Sequence, residues 1–230
     1  MLDVLREEKK YDMTSSELLL VKSKLSKVLL GDSFNGFNSY LVRSLYFDSY
    51  TDRDLNEKAA GLSERKKIRL RIYHTDAKKA KLELKAKSGT MQRKRSLTIL
   101  KEDAIELIKG NYSVLLKYTE SIAMEFYVIM SSELYRPKCV IEYDRIAMRA
   151  PENNIRITID TGVRSNEANF DFFSDKLDFY KVMPDDKGVL EVKYNRFLPS
   201  YIKLALNVSD KLETSVSKYV LARKFSGGSE

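Results

Sequence analysis

The chain has a single cysteine, Cys139, and a single histidine, His74, among its 230 residues. One thiol forms no internal disulfide, and one thiol with one imidazole cannot supply the Cys and His clusters of a zinc site. Cys139 is expected as a buried strand residue, and His74, at a strand end, as an exposed one. No apolar stretch reaches the roughly 18 residues needed to cross a bilayer, and Met1–Lys10 lacks the apolar core of a signal peptide. These absences lead us to expect a cytoplasmic protein without a membrane segment of its own. Internal repeats, low-complexity runs and dividing linkers are missing too. One domain over residues 1–225 is therefore expected, with Ser226-Gly-Gly-Ser-Glu230 as a flexible tail.

Negative charge is in short supply. Lys and Arg total 41 against 33 Asp and Glu, for a net charge of +8 and a pI near 9.3. Such a balance favours polyanions as partners, meaning nucleic acid, anionic lipid or phosphate chains. Charged residues make up 32% of the chain, above the usual level of about 25%, so a surface or a cavity must hold many of them. At this length a substantial core is readily built.

The charge concentrates in Arg65-Lys-Lys-Ile-Arg-Leu-Arg-Ile-Tyr73 and Lys81-Leu-Glu-Leu-Lys-Ala-Lys87. Both runs alternate as strands do. Lys67, Arg69, Arg71 and Tyr73 share one face and Ile68, Leu70 and Ile72 the other; Lys81, Glu83, Lys85 and Lys87 likewise oppose Leu82, Leu84 and Ala86. A solvated face normally mixes signs, because like charges opposite each other are destabilising. An anion is the simplest occupant of a face this positive.

Other segments read as follows. Glu8–Tyr11 is a short strand, and Thr14-Ser-Ser-Glu17 is a capping box opening a helix with Leu18, Val21, Leu25, Val28 and Leu29 on its buried stripe. Tyr40–Asp48 is a strand and 52–60 a short helix. Ser88-Gly89 turns into a third basic strand, Met91–Ile99. A short helix over 101–109, a longer one from Val114 to Leu134, strands at 139–145, 155–160 and 189–194, and helices near 200–207 and 215–224 complete the chain. Arg156, Thr158 and Asp160 share a strand face, as do Glu191 and Lys193. Strands with one apolar and one charged face suit a closed sheet whose charged faces point inward.

The ordered set Glu8-Lys-Lys-Tyr11, Arg43-Ser-Leu-Tyr-Phe-Asp48, Arg65–Tyr73, Leu82-Glu-Leu-Lys85, Glu142-Tyr-Asp-Arg145, Glu191-Val-Lys-Tyr194 and Ser217-Lys-Tyr219 resembles the polyphosphate polymerase (vacuolar transporter chaperone, VTC) domain of the triphosphate tunnel metalloenzymes. The resemblance covers roughly residues 6–224. It implies an α+β fold: an eight-stranded antiparallel β-barrel, the triphosphate tunnel, with a charged lumen and flanking helices. It also implies ATP and inorganic polyphosphate as ligands, Mn²⁺ or Mg²⁺ as cofactor, and transfer of the γ-phosphoryl group of ATP to a growing chain. By the same resemblance Lys10, Arg69, Arg71, Lys85, Arg145 and Lys218 are the catalytic residues. Arg43, Lys67, Arg93, Arg95, Arg156, Lys193 and Tyr143 are substrate ligands, with either Arg93 or Arg95 filling the basic position of the third strand, and Glu191 is the metal ligand. Larger members carry regulatory and membrane domains; this sequence reads as a free-standing catalytic domain, and such parts would come from other subunits.

The residue types suit that chemistry. Phosphoryl transfer rests on alignment and on stabilising charge spread over three equatorial oxygens. Arginine clamps phosphate oxygens in pairs, and lysine acts as a point charge. A terminal phosphate is already largely ionised near neutral pH, so polymerisation needs no general base, whereas hydrolysis needs a group such as Glu83 or Glu142 to orient water. A magnesium-type ion needs only one or two protein carboxylates. Against these roles stand plainer ones. Glu191 and Lys193 are also a neighbouring ion pair, Asp144 and Asp160 are structural partners for arginines, and Tyr143 and Tyr219 suit the core as well as the site. Three functions remain in view: polyphosphate polymerase, tunnel triphosphatase, and non-catalytic polyanion binding. Nucleic acid is disfavoured, since aromatics are not interleaved with the basic strands as a base-stacking platform requires, Tyr73 apart.

Overall fold

The structure is a computed structural model that describes residues 6–89, 91–215 and 217–226; the expected tail residues 227–230 lie outside them. In chain order the elements are β1 (Arg6–Thr14), α1 (Ser15–Leu25), β2 (Leu30–Gly31), β3 (Tyr40–Asp48), α2 (Arg53–Ala59), β4 (Arg65–Ile72), β5 (Lys79–Ser88), β6 (Met91–Leu100), α3 (Lys101–Ile108), α4 (Ser121–Ser132), β7 (Arg136–Ala150), β8 (Ile155–Asn166), β9 (Tyr180–Lys181), β10 (Lys187–Asn195), α5 (Ser200–Leu206) and α6 (Lys218–Ser226). No helix among the described residues is long and apolar enough to cross a membrane.

In hydrogen-bonding order the eight long strands run β1-β10-β8-β7-β3-β4-β5-β6. Among the described residues no ladder joins β6 back to β1, so the expected closed barrel is an open path of ladders. The outer edge of β1 is met instead by the segment that precedes α6, where the Thr214 N–H donates to the Lys10 carbonyl at 2.8 Å. The chain packs as two compact units. The first comprises residues up to Leu41, Tyr143–Val163 and Lys181–Ser217; the second comprises Val42–Glu142, Arg164–Tyr180 and the residues from Lys218.

In the first unit β10 pairs with β1 on one side and β8 on the other. Its core joins Leu18, Val21, Leu25 and Leu29 with Ile157, Ile159, Leu190 and Val192. The capping box forms as expected: the Glu17 N–H donates to Thr14 Oγ1 and the Thr14 N–H to Glu17 Oε2. Val28 departs from the expected stripe and is exposed, because α1 ends at Leu25. Gly188 lets β10 pack tightly. A Cβ there would come within 2.7 Å of both the Asp160 carbonyl and a Leu18 methyl.

In the second unit β3 to β6 form an antiparallel meander whose apolar face carries Leu45, Phe47, Ile68, Leu70, Leu82 and Leu97, covered by α3 and α4. The long helix expected from Val114 to Leu134 is broken. A 3₁₀ turn spans Tyr112–Lys117, the backbone is extended at Tyr118 and Glu120, and α4 starts at Ser121. Tyr118 accounts for the break, since its hydroxyl accepts the Leu100 N–H and donates to Asp103. Cys139 is buried and His74 exposed.

Asp48, at the end of β3, is fully buried and accepts four hydrogen bonds. These come from the N–H groups of Ser49, Asp54 and Leu55 and from the Tyr219 hydroxyl at 2.6 Å. It thereby caps α2, whose N-cap residue Asp52 makes no side-chain cap, and it ties α6 to β3. Beside it the buried Asp54 accepts the Tyr135 hydroxyl. Burial and the Asp48 charge push the Asp54 carboxyl up to about 7. An unfolded aspartate ionises near about 4, so raising the pH from there to about 7 favours the unfolded chain, and stability falls across that window. Asp54→Asn is expected to flatten this slope and to raise stability at pH 8 on the order of 2 kcal/mol. Urea unfolding at pH 5 and pH 8 checks it; an unchanged slope would rule the Asp54 carboxyl out as its source. Gly188→Ala is expected to cost about 1–3 kcal/mol by overpacking, seen as a lower unfolding midpoint.

Candidate functional site: two carboxylate-pinned basic faces

The charged face of the second unit follows from strand register. Antiparallel partners point to the same side, and the ladders align Arg71–Lys81–Thr98, Arg69–Glu83–Ser96 and Lys67–Lys85–Lys94 across β4, β5 and β6. Six cations thus meet one carboxylate, and the last row sets three lysines side by side. Glu83 is buried at 3% exposure. It takes Arg69 Nε at 2.8 Å, Arg71 Nη1 at 3.6 Å and Lys94 Nζ at 2.5 Å. Burial alone would raise its pKa, but Arg69, Arg71 and Lys94 outweigh burial and bring it down to about 2. The Arg69 guanidinium also donates to the Tyr46 hydroxyl at 2.9 Å. Tyr46 stacks on Tyr219, centroids 5.0 Å apart and rings 14° from parallel, and Lys67 lies over the Tyr219 ring. This aromatic pair seats α6, which begins at Lys218.

The first unit carries a second charged face. Its register rows are Glu8–Lys193–Arg156 and Lys10–Glu191–Thr158 across β1, β10 and β8. Lys193 pairs with Glu191 and, at 3.7 Å, with Glu8; Lys10 approaches Glu8 at 3.1 Å. Against the effect of burial, Lys193, Lys10 and Arg145 hold the Glu191 carboxyl well below the usual range. Arg145 lies over the Tyr143 ring and donates twice to the fully buried Asp160, at 2.6 and 2.7 Å. The Thr158 hydroxyl is buried without a hydrogen-bond partner.

Among the described residues no cluster of three or more Asp, Glu, His or Cys forms a metal cage. A magnesium-type ion does not need one, since substrate phosphates and water complete its shell. Among the described residues of the two faces, one pair of carboxylates fits such an ion. Glu8 and Glu191 share Lys193, whose ammonium sits where a cation between two carboxylates would. These two would hold the metal, and the metal would supply charge neutralisation at phosphate oxygens.

The structure sorts the residues named from the sequence. It brings together Lys67, Arg69, Arg71 and Lys85 in one unit, and Lys10, Tyr143, Arg145, Glu191 and Lys193 in the other. Arg156 shares the row of Lys193 but is exposed and pairs with Asp32. Lys218, half-buried, opens α6. Three arginines fall elsewhere. Arg43 pairs in register with Ile72, on the apolar face, where it is buried at 3% exposure. It donates to Glu142 and to the carbonyls of Phe172 and Ser174, fastening that loop. Arg93 and Arg95 align with Ala86 and Leu84, on the face opposite Glu83; Arg95 pairs with Glu125 of α4 and Arg93 is exposed. Lys94 fills the position assigned to either of them. Glu142, bound by Arg43 and Arg164, is likewise a structural clasp. Lys94, Glu8 and Tyr46 are the site residues the sequence reading does not single out, although Glu8 and Tyr46 stand inside its motifs.

The fold has relatives of known structure. A candidate adenylyl cyclase from Hippeastrum, HpAC1, described as having a dominant triphosphatase activity, superposes with a TM-score of 0.55 at 16% identity over 96% of each chain. A candidate adenylate cyclase from Bacillus halodurans gives 0.53 at 12% identity, over 92% of this chain and 95% of that one. At such identities the likeness shows a shared fold. None of the curated proteins matches the sequence. The VTC domain profile matches residues 5–226, nearly the whole chain, and with the strand order and the two basic faces in place the protein belongs to the VTC domain family.

Proposed function

We propose that the protein is an ATP-dependent polyphosphate polymerase. It would transfer the γ-phosphoryl group of ATP to the end of a polyphosphate chain with the help of Mn²⁺ or Mg²⁺. The observation that supports this best is the excess of six cations over one carboxylate on the face of β4 to β6. An excess of positive charge on one strand face suits a polyanion such as a run of phosphates. Arg69 and Arg71 stabilise the charge that develops on the equatorial oxygens. Lys67, Lys85 and Lys94 hold successive phosphates, with Lys218 of the same unit; in the other unit Lys10 and Arg145 carry the roles that the family resemblance gives them. Glu191 with Glu8 holds the metal. A cytosolic location, where ATP is supplied, accords with this reading.

Hydrolysis is the second reading, favoured by the triphosphatase activity described for the Hippeastrum protein. The state of Glu83 speaks against it here. Arg69, Arg71 and Lys94 already engage both oxygens of that carboxylate, which leaves it little free to orient a water. Glu142 belongs to the opposite side of the sheet's chemistry, clasped by two arginines. Polymerisation needs no such base, because its nucleophile arrives ionised.

Incubation of the purified protein with ATP and Mn²⁺, followed by ADP release and phosphorus NMR with and without a short polyphosphate primer, tests the proposal. Internal-phosphate signals growing with ADP are expected. Orthophosphate without chain would make the protein a hydrolase, and salt-sensitive polyphosphate binding without turnover would make it a binding module. Lys85→Ala is expected to lower turnover about tenfold or more; an unchanged rate would take Lys85 out of the site. Arg69→Ala should abolish activity and also lower stability, by less than the loss of a whole buried pair because Arg71 and Lys94 still meet Glu83. Glu191→Gln should lose metal-dependent turnover while retaining metal-free tripolyphosphate binding, measured by calorimetry.

A further inference from the structure

Buried polar atoms in folded proteins nearly always have hydrogen-bond partners, and each exception calls for an explanation. Among the described residues five buried side-chain atoms lack one. Two of these, on Asp52 and Arg223, belong to side chains ion-paired to each other through other atoms. Of the remaining three, Ser44 Oγ and Arg71 Nε belong to register partners, Ser44 of β3 and Arg71 of β4, whose side chains leave the sheet on the same face. Ser44 is 1% exposed and Arg71 8%. Their row adjoins the one that holds Tyr46, Arg69 and Glu83.

The chemistry of the pair is one-sided. A guanidinium N–H only donates, and a serine hydroxyl can donate as well. The hydroxyl accepts nothing from the guanidinium in the structure, and a group that only accepts can take a hydrogen bond from each. Arg71 is also the less tightly held of the two arginines on Glu83, at 3.6 Å against 2.8 Å for Arg69, so its guanidinium can turn toward an incoming anion without breaking a close ion pair.

We infer that Ser44 and Arg71 form a phosphate-oxygen subsite, in which the Ser44 hydroxyl and the Arg71 Nε–H donate to the same phosphate group of the bound substrate. Ser44 is then a ligand that the basic motifs do not disclose, and its neutral hydroxyl adds a directed hydrogen bond where the lysines add only charge. The inference rests on the reading of the β4 to β6 face as a phosphate-binding surface.

Calorimetric titration of the full chain with inorganic tripolyphosphate, without metal or ATP, tests it, alongside thermal unfolding of the unliganded and liganded protein. Ser44→Ala is expected to weaken tripolyphosphate binding about tenfold. The unliganded unfolding midpoint should be unchanged or higher, since the variant removes a buried hydroxyl that has no partner. Ser44→Cys, nearly the same size with a weaker donor, should fall between the two. A lower unliganded midpoint with wild-type affinity would overturn the inference and make Ser44 a structural residue bridged by a buried water. Unchanged affinity and midpoint would overturn it as well. Failure of Ser44→Ala to fold, with Ser44→Cys binding as wild type, would do the same. Should the wild-type protein itself not bind tripolyphosphate, the phosphate-binding reading of the face falls, and this subsite with it.

Discussion

Glu83 is the residue on which the basic face of β4 to β6 depends. An isolated carboxylate in that place would be costly to ionise, and isolated arginines there would repel each other. Together they form an ionised cluster in which one buried anion orders Arg69, Arg71 and Lys94. The cluster keeps a net positive charge, so the carboxylate orients the cations without neutralising them. Glu191 stands in the same relation to Lys193, Lys10 and Arg145 in the other unit. Each unit therefore keeps its cations on a rigid strand face, held by an acid that is itself withdrawn from proton chemistry.

The two faces differ in a way that suggests a division of labour. On β4 to β6 the cations greatly outnumber the acids, the composition on which the proposed binding of a phosphate chain rests. The rows of β1, β10 and β8 mix Glu8 and Glu191 with Lys10, Lys193 and Arg156, a composition that can take a divalent cation and phosphate together. Aromatic side chains serve as supports. Tyr46 and Tyr219 stack under Arg69 and Lys67, and the hydroxyl of Tyr219 ends on Asp48, the carboxylate that also caps α2. The position of Lys218 at the start of α6 is in this way tied to the same strands that carry the arginines.

Much of this was legible in the sequence because alternation is a local property. Ile68, Leu70 and Ile72 against Lys67, Arg69 and Arg71 define two faces without any knowledge of neighbours, and the capping box at Thr14 and Glu17 marks its helix in four residues. Pairing parity is not local. Ser88 aligns with Met91, so odd-numbered residues of β5 meet even-numbered residues of β6, which turns Lys94 toward Glu83 and Arg93 and Arg95 away. A hairpin loop longer by one residue would have reversed that choice. The turn residues Ser88-Gly89 carried the information, but only for a reader who counts across them. For Arg43 no such count is possible, since a loop and α2 separate β3 from β4; its composition resembles that of a phosphate ligand, and its register makes it a fastener for residues 172–174. The break at Tyr118 was hidden for another reason: an apolar tyrosine fits a helical stripe, and nothing local reveals that its hydroxyl is needed by Leu100 and Asp103.

Arg145 adds a point about movement. Asp160 occupies the Nε and Nη2 side of its guanidinium, the edge with which arginine most often forks a phosphate. Three of its five N–H groups remain, one on Nη2 and two on Nη1, so the end of the guanidinium still offers a fork, held in a fixed direction by the aspartate behind it. A ligand gripped by forks at every position would be tightly held and slow to shift. One held by single hydrogen bonds and point charges can exchange each contact for an equivalent one at low cost, much as an ion passes between weak sites in a conducting pore. On the rows of β4 to β6 four lysines stand with two arginines, so that face is closer to the second kind than to the first.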